Sequence, residues 1–210
     1  VLSPRAIVNR VWQWHFGNGF VDDPDNLGML SNTPKMTNLI DYLSSYLIEN
    51  NWSIKKLHKL ILMSQTYTQS SMETPKHLIA DSDNALMHKQ NIRRLSFEEL
   101  RDSLLYAAKQ LNEDHDGRPV NLMTSFKRSV YGRIDRSNIP ELLAVFDFSN
   151  PNMPSGKRPS TTVPQQALFL LNGQFVDQRV KGIAALPEIK RAIDEKTKIT
   201  ALYRKLFQRD

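Results

Sequence analysis

The sequence predicts a single all-α domain, residues 1–210, of about seven to nine helices. Three observations carry that expectation. Helix-start signals recur along the chain, at Ser3-Pro4, Thr33-Pro34, Ser96 with Glu99, Pro164 and Pro187. Apolar residues between them return at three- and four-residue steps instead of alternating. Segments rich in Pro, Gly, Asn and Asp fall between those runs and break them. One stretch departs from the pattern: Val130 and Tyr131 favour extended backbone, so 127–134 is allowed one short β-ribbon.

Taken in order, Ser3 caps a first helix with Pro4 at its first position, and Gly17 stops it. Ile7, Val8, Val11, Trp12, Trp14 and Phe16 occupy so much of its circumference that burial on more than one side is expected. Gly17, Gly19, Asp22, Asp23, Pro24, Asp25 and Gly28 then form a turn-rich loop. Thr33-Pro34 opens a second helix reaching about Asn50, with Met36, Leu39, Ile40, Leu43, Leu47 and Ile48 on its apolar face. Trp52-Ser53 opens a third, which buries Ile54, Leu57, Leu60, Ile61 and Met63 and turns Lys55, Lys56 and Lys59 outward. Residues 72–92 read as a connection with one short helix.

The central element is expected at 96–111. Ser96 and Glu99 make a capping box, Leu95 is placed to staple onto Leu100, and Leu100, Leu104, Ala107, Ala108 and Leu111 form its stripe. Asn112 to Pro119 breaks the chain, and Pro140 to Phe146 is a short helix. Prolines 151, 154, 159 and 164 force a loop, Pro164 starts a helix closed by Gly173, and Phe175 to Ala185 follows. A last helix from Pro187 carries Ile189, Ile193, Ile199, Leu202, Tyr203 and Leu206 on one face.

Composition excludes more than it selects. With 40% apolar and 24% charged residues the chain is globular and not disordered. No apolar run approaches the roughly 20 residues a membrane span needs. Cysteine is absent, which removes disulfides, thiolate zinc and covalent haem from this segment. The net charge of +6 is scattered without a like-charge block, so nucleic acid is not an expected partner. A chain opening at Val1 and running out in LYRKLFQRD, an unfinished helix, reads as a piece of a longer polypeptide.

Motif chemistry is sparse. His15, His58, His77, His88 and His115 show no metal-ligand spacing, and neither a metal nor a cofactor is expected; His15 and His58 are the pair best placed to converge. No G-x-S-x-G and no phosphate-cradling Gly loop occurs. Trp12, Trp14, Trp52 and Tyr67 are better read as core than as a sugar-stacking platform. Asp102 and Asp147 can be an acid–base pair for glycan cleavage if their carboxyls stand about 5–9.5 Å apart. The competing reading pairs each with an arginine such as Arg101, Arg133 or Arg158.

The favoured ligand-binding surface is the stiffened loop from Asp147 to Gln166. Arg158 and Lys157 supply charge there, Thr161 and Thr162 precede the helix start, and Gln165 and Gln166 offer donors and acceptors in its first turn. A glycan or an anion suits that chemistry. The bland reading makes a threonine the helix cap and pairs Arg158 with Asp147.

Three blocks also carry a family likeness: PRAIVNRVWQWHFGNGFV from Pro4, RRLSFEELRD from Arg93, and Arg128–Asn172 with RSVYGRIDRSNIPELLAVFDFSNP and RPSTTVPQQALFLLN. In these the chain resembles the planctomycete-type domain of unknown function family 1553, across nearly its whole length. The resemblance implies a C-terminal portion of a large exported or envelope protein, periplasmic or secreted, that often carries a cytochrome-c-like domain. It further implies other domains of the same polypeptide as partners and a connection with polysaccharide use. Two departures stand out. Relatives often read P-S-H-P-E where this chain has Asn32-Thr33-Pro34-Lys35-Met36, and Arg133 stands where an aromatic is usual. The function expected is a non-enzymatic binding or scaffolding module, with a carboxylate-dependent glycan hydrolase or lyase as the alternative.

Overall fold

A computed structural model describes residues 2–21, 23–27, 33–73, 75–115 and 117–209, the side chains of 76–78 apart, and every regular element among them is helical. Asp22, Gly28, Asn32 and Asp116, which the loop readings use, lie outside the described residues, as does the His77 side chain. The chain divides into two compact units, Val1–Arg93 with Ser155–Lys157, and Arg94–Pro154 with Arg158–Asp210.

The first unit holds α1 (Leu2–Phe16), α2 (Thr37–Glu49), α3 (Ile54–Leu62) and α4 (Pro75–Ala80). Its core is one cluster built from Val8, Val11, Trp12 and Phe16 of α1, Phe20 of the loop that follows, Ile40, Leu43 and Leu47 of α2, and Leu57 and Ile61 of α3. Burying side chains of this size stabilises the fold by about 1.5–3 kcal/mol each. The aromatic centre is Trp12, whose ring lies 4.2 Å from Phe16 and 4.6 Å from Phe20. Buried Asn9 stitches the following loop to α1 by accepting from the Val21 amide at 3.1 Å. Gly19 makes room for that contact, since a Cβ there would meet the Asn9 side-chain oxygen at 2.6 Å.

Several expectations change here. Ser3 and Pro4 lie inside α1, so Ser3 is no cap, whereas Gly17 does stop the helix with its left-handed φ of 84°. The second helix begins at Thr37 and not at Thr33-Pro34. The Lys35 amide is taken by the Phe20 carbonyl at 2.8 Å and Met36 turns left-handed, which delays the start. Ser53 caps α3 as its position suggests, accepting from Lys56. Ile48, Ile54 and Met63 are exposed, because the cluster narrows at the helix ends and takes only Leu57 and Ile61 of α3 fully. Trp14 is 59% exposed and Trp52 is 47% exposed, so neither belongs to the core; Trp52 sits in the left-handed link between α2 and α3.

The second unit holds α5 (Phe97–Ala107), a 3₁₀ turn (Ser129–Tyr131), α6 (Glu141–Val145), α7 (Pro164–Asn172), α8 (Gln174–Ala184), α9 (Pro187–Lys190) and α10 (Glu195–Phe207). The capping box at α5 is complete. Ser96 Oγ accepts from the Glu99 amide at 3.3 Å, and Glu99 Oε2 accepts from the Ser96 amide at 2.8 Å. The helix ends earlier than Leu111, because Lys109 turns left-handed and Gln110 donates back to the Leu105 carbonyl. Its deepest line is Phe97, Arg101 and Leu105, rotated from the predicted stripe, with Leu100, Leu104 and Leu111 only partly buried.

Around α5, Phe97, Leu122, Leu143 and Phe146 form one cluster, Leu105, Phe175 and Val176 a second, and Ala107, Ala108, Ile183, Leu186 and Ile189 a third. The stretch near 127–134 makes isolated parallel bridges, Asn112 with Lys127 and Val120 with Gly132, around the 3₁₀ turn. The final helix breaks in two. Ile189 is buried in α9, Ile193 is 98% exposed in the link, and Asp194 caps α10 by accepting from the Thr197 amide at 2.7 Å.

Candidate functional site

The loop from Asp147 to Gln166 is held by its own polar residues. Asp147 adopts a left-handed φ of 59°, which aims its carboxylate at Thr161. That carboxylate accepts from the Thr161 amide at 2.8 Å and from its hydroxyl at 2.7 Å. Arg94 donates to the Thr161 carbonyl at 2.7 Å and the Thr162 hydroxyl at 3.2 Å. Arg158 does not meet Asp147. Its Nη1 donates to both oxygens of Glu98, at 2.9 and 3.0 Å, and its guanidinium lies 4.7 Å from the centre of the Phe148 ring.

Neither threonine caps α7. Val163 precedes Pro164, and its side chain offers no acceptor; Gln166 instead turns back to accept from the Val163 amide at 3.4 Å. Gln166 is buried and donates to the Val145 carbonyl at 2.8 Å, so it braces the loop from inside. Gln165 is exposed. Lys157 belongs to the first unit, where it donates to Asn18 at 3.0 Å. The structure therefore joins Asp147, Thr161 and Thr162 into one cluster, and separates Arg158, Gln165 and Gln166 by partner.

The sequence reading offers Arg101 only as one arginine partner for Asp102 or Asp147, yet it is the most connected residue of the second unit. Arg101, 1% exposed on α5, donates through Nε to the Leu122 carbonyl at 2.7 Å and through Nη2 to the Ser125 carbonyl at 2.5 Å. Its Nη1 reaches the Lys127 carbonyl at 2.8 Å, Asp102 at 3.0 Å and the Ser129 hydroxyl at 3.2 Å. Asp102 in turn accepts from the Ser129 amide at 2.9 Å and its hydroxyl at 2.7 Å. Burial draws the Arg101 guanidinium below its ordinary value, and Asp102 pulls it back. The ion pair between Arg101 and Asp102 thus has the partner foreseen, but its work is to hold the 122–129 segment on α5.

An open cleft of about 910 Å³ lies beside this hub in the second unit. Leu100, Leu104 and Leu111 of its wall come from α5 and the residues after it, and Tyr106 and Phe207 face it. Asp102, Glu113, His115, Arg128 and Lys205 supply polar groups, with the Lys205 ammonium 5.6 Å from the Tyr106 ring centre. None of the predicted loop residues lines it. Its size suits a small ligand or a chain segment.

In the first unit His15 and His58 do converge, ring nitrogen to ring nitrogen at 2.7 Å, with Tyr67 edge-on to His15 at 5.5 Å. Burial, then His58, then Arg93 hold the His15 imidazole below its ordinary value. Among the described residues no three His, Cys, Asp or Glu gather where they could hold a metal ion. No helix of the described residues is long and apolar enough to cross a membrane.

Helices packed around arginine-braced loops, with an open cleft and no metal cluster among the described residues, define an all-α protein. The chain belongs to the family described as protein of unknown function DUF1553, which matches residues 1–210. No curated protein and no solved structure shows detectable similarity to it.

Proposed function

We propose that the chain is a non-enzymatic binding or scaffolding module of a bacterial exported or envelope multidomain protein. Its partners are other domains of the same polypeptide, one of them cytochrome-c-like, and its role is linked to polysaccharide use. The observation that supports this reading best is the engagement of its carboxylates. Asp102 is bonded to Arg101 and Ser129, Glu98 to Arg158, and Asp147 to Thr161. A general acid or base needs a proton or lone pair facing substrate, and these carboxylates turn theirs to the protein.

The surface offered for binding is the cleft of the second unit, where aromatic and aliphatic walls meet a polar rim. The glycan hydrolase or lyase reading keeps one point in its favour: Asp102 and Glu113 line that same cleft. Affinity electrophoresis through gels containing neutral or acidic polysaccharides separates the two. Retardation without new reducing ends supports the module. Cleavage that disappears in Glu113→Gln supports the enzyme. No retardation, no cleavage and no association with separately produced domains of the same polypeptide overturns the proposal.

A further inference from the structure

A guanidinium inside a protein is ordinarily matched by a carboxylate, because a buried charge without a partner is costly. Arg179 of α8 is the exception. It is 6% exposed, and no described residue places a carboxylate against it. Its surroundings are aromatic, with the guanidinium carbon 4.7 Å from the centre of the Phe175 ring and 5.2 Å from that of Phe126. Arg101 also faces Phe175, at 5.7 Å. Two buried cations therefore share one ring, and the carboxylate beside them, Asp102, is already bonded to Arg101 and Ser129.

The donors tell the same story. Nε of Arg179 is buried and has no hydrogen-bond acceptor among the described residues. Nη2 donates to Gln178 Oε1 at 2.9 Å. These two nitrogens form the side-on fork that meets a carboxylate through two parallel hydrogen bonds. Nε has no acceptor among the described residues, and Nη2 is met by a neutral amide carried on an exposed neighbour. Ring contacts alone can offset the charge, but they leave Nε without an acceptor, and a buried unsatisfied donor calls for one.

We propose that the Nε–Nη2 fork of Arg179 is a binding site for an organic carboxylate. Gln178 holds the place of one ligand oxygen, and half-exposed Phe126 packs against the ligand's apolar body. The site is separate from the cleft, since Arg179, Gln178 and Phe126 do not line it.

Benzoate is the probe, and benzamide is its uncharged counterpart. In the ¹⁵N-labelled chain at constant ionic strength, benzoate should shift the Arg179 Nε–H resonance saturably and benzamide should not. Arg179→Met removes that resonance and assigns it. Gln178→Glu supplies an internal carboxylate to the same fork, so it should raise the melting temperature and weaken benzoate binding about tenfold or more. That variant carries the test if Arg179→Met fails to fold. No saturable shift, equal shifts by both probes, or a Gln178→Glu chain unchanged in melting and in benzoate affinity would each overturn the proposal.

Discussion

Replacing Arg101 with methionine keeps an unbranched side chain in the α5 core and removes every donor. The carbonyls of Leu122, Ser125 and Lys127 then lose their partner, at about 1 kcal/mol each if water reaches them. Asp102 loses the cation beside it, and breaking a buried pair from one side costs about 3–5 kcal/mol. Asp102 keeps Ser129 and is partly exposed, so the lower end applies and the expected total is about 4–6 kcal/mol. Against a whole-domain stability of about 5–15 kcal/mol, that is enough to loosen the second unit. At about 4 °C per kcal/mol the melting temperature should fall by roughly 20 °C. Urea unfolding followed by circular dichroism measures the loss, and limited proteolysis should cut first within 120–131. Arg101→Lys should recover less than half, because one ammonium cannot span acceptors on five residues. A loss below about 1 kcal/mol in Arg101→Met would show that the hub is not what holds this segment.

Burial of His15, with His58 and then Arg93 adding to it, makes the first unit acid-sensitive. His15 titrates below its ordinary 6.5 in the folded chain, so the unfolded chain binds more protons; stability is intact above about 6.5 and falls as pH drops below it. His15→Gln should flatten that fall in urea midpoints measured from pH 7.5 to 5, and an unchanged slope would exclude His15 as its source. Ser96→Ala opens the capping box and should cost about 1 kcal/mol by the same unfolding assay, with Ser96→Gly milder. Arg158→Ala breaks a half-exposed pair with Glu98 and should cost about 1 kcal/mol or less; a loss of several would reveal a structural tie larger than the geometry indicates.

What could be read in the sequence was what local chemistry decides. The Ser96–Glu99 box, the Pro164 start and the Gly173 stop each depend on residues within one turn, and each lies where the sequence places it. Thr33-Pro34 has the same local form and fails, because a distant carbonyl, that of Phe20, claims the Lys35 amide. The loop at 147–166 was legible from its prolines, but its bonds were not. Arg158 passes over Asp147, eleven positions away, for Glu98, sixty positions away. Arg101 was harder still. Its pairing with Asp102 could be anticipated from their adjacency, but nothing in the order of residues 122–129 announces carbonyls gathered around it.

Gly173 ends α7 and begins α8 with no residue to spare between them. A side chain there would collide with the Phe169 carbonyl oxygen, so the corner admits neither padding nor bulk. The azimuth of α8 is thereby locked to that of α7. Adding one residue at the corner would spin α8 by about 100° about its axis. Phe175, Val176, Arg179 and Ile183, its inward side chains, would leave their clusters together. This joint should tolerate substitution on its outer surface while refusing any change in length, which makes it a fixed ruler between two apolar clusters.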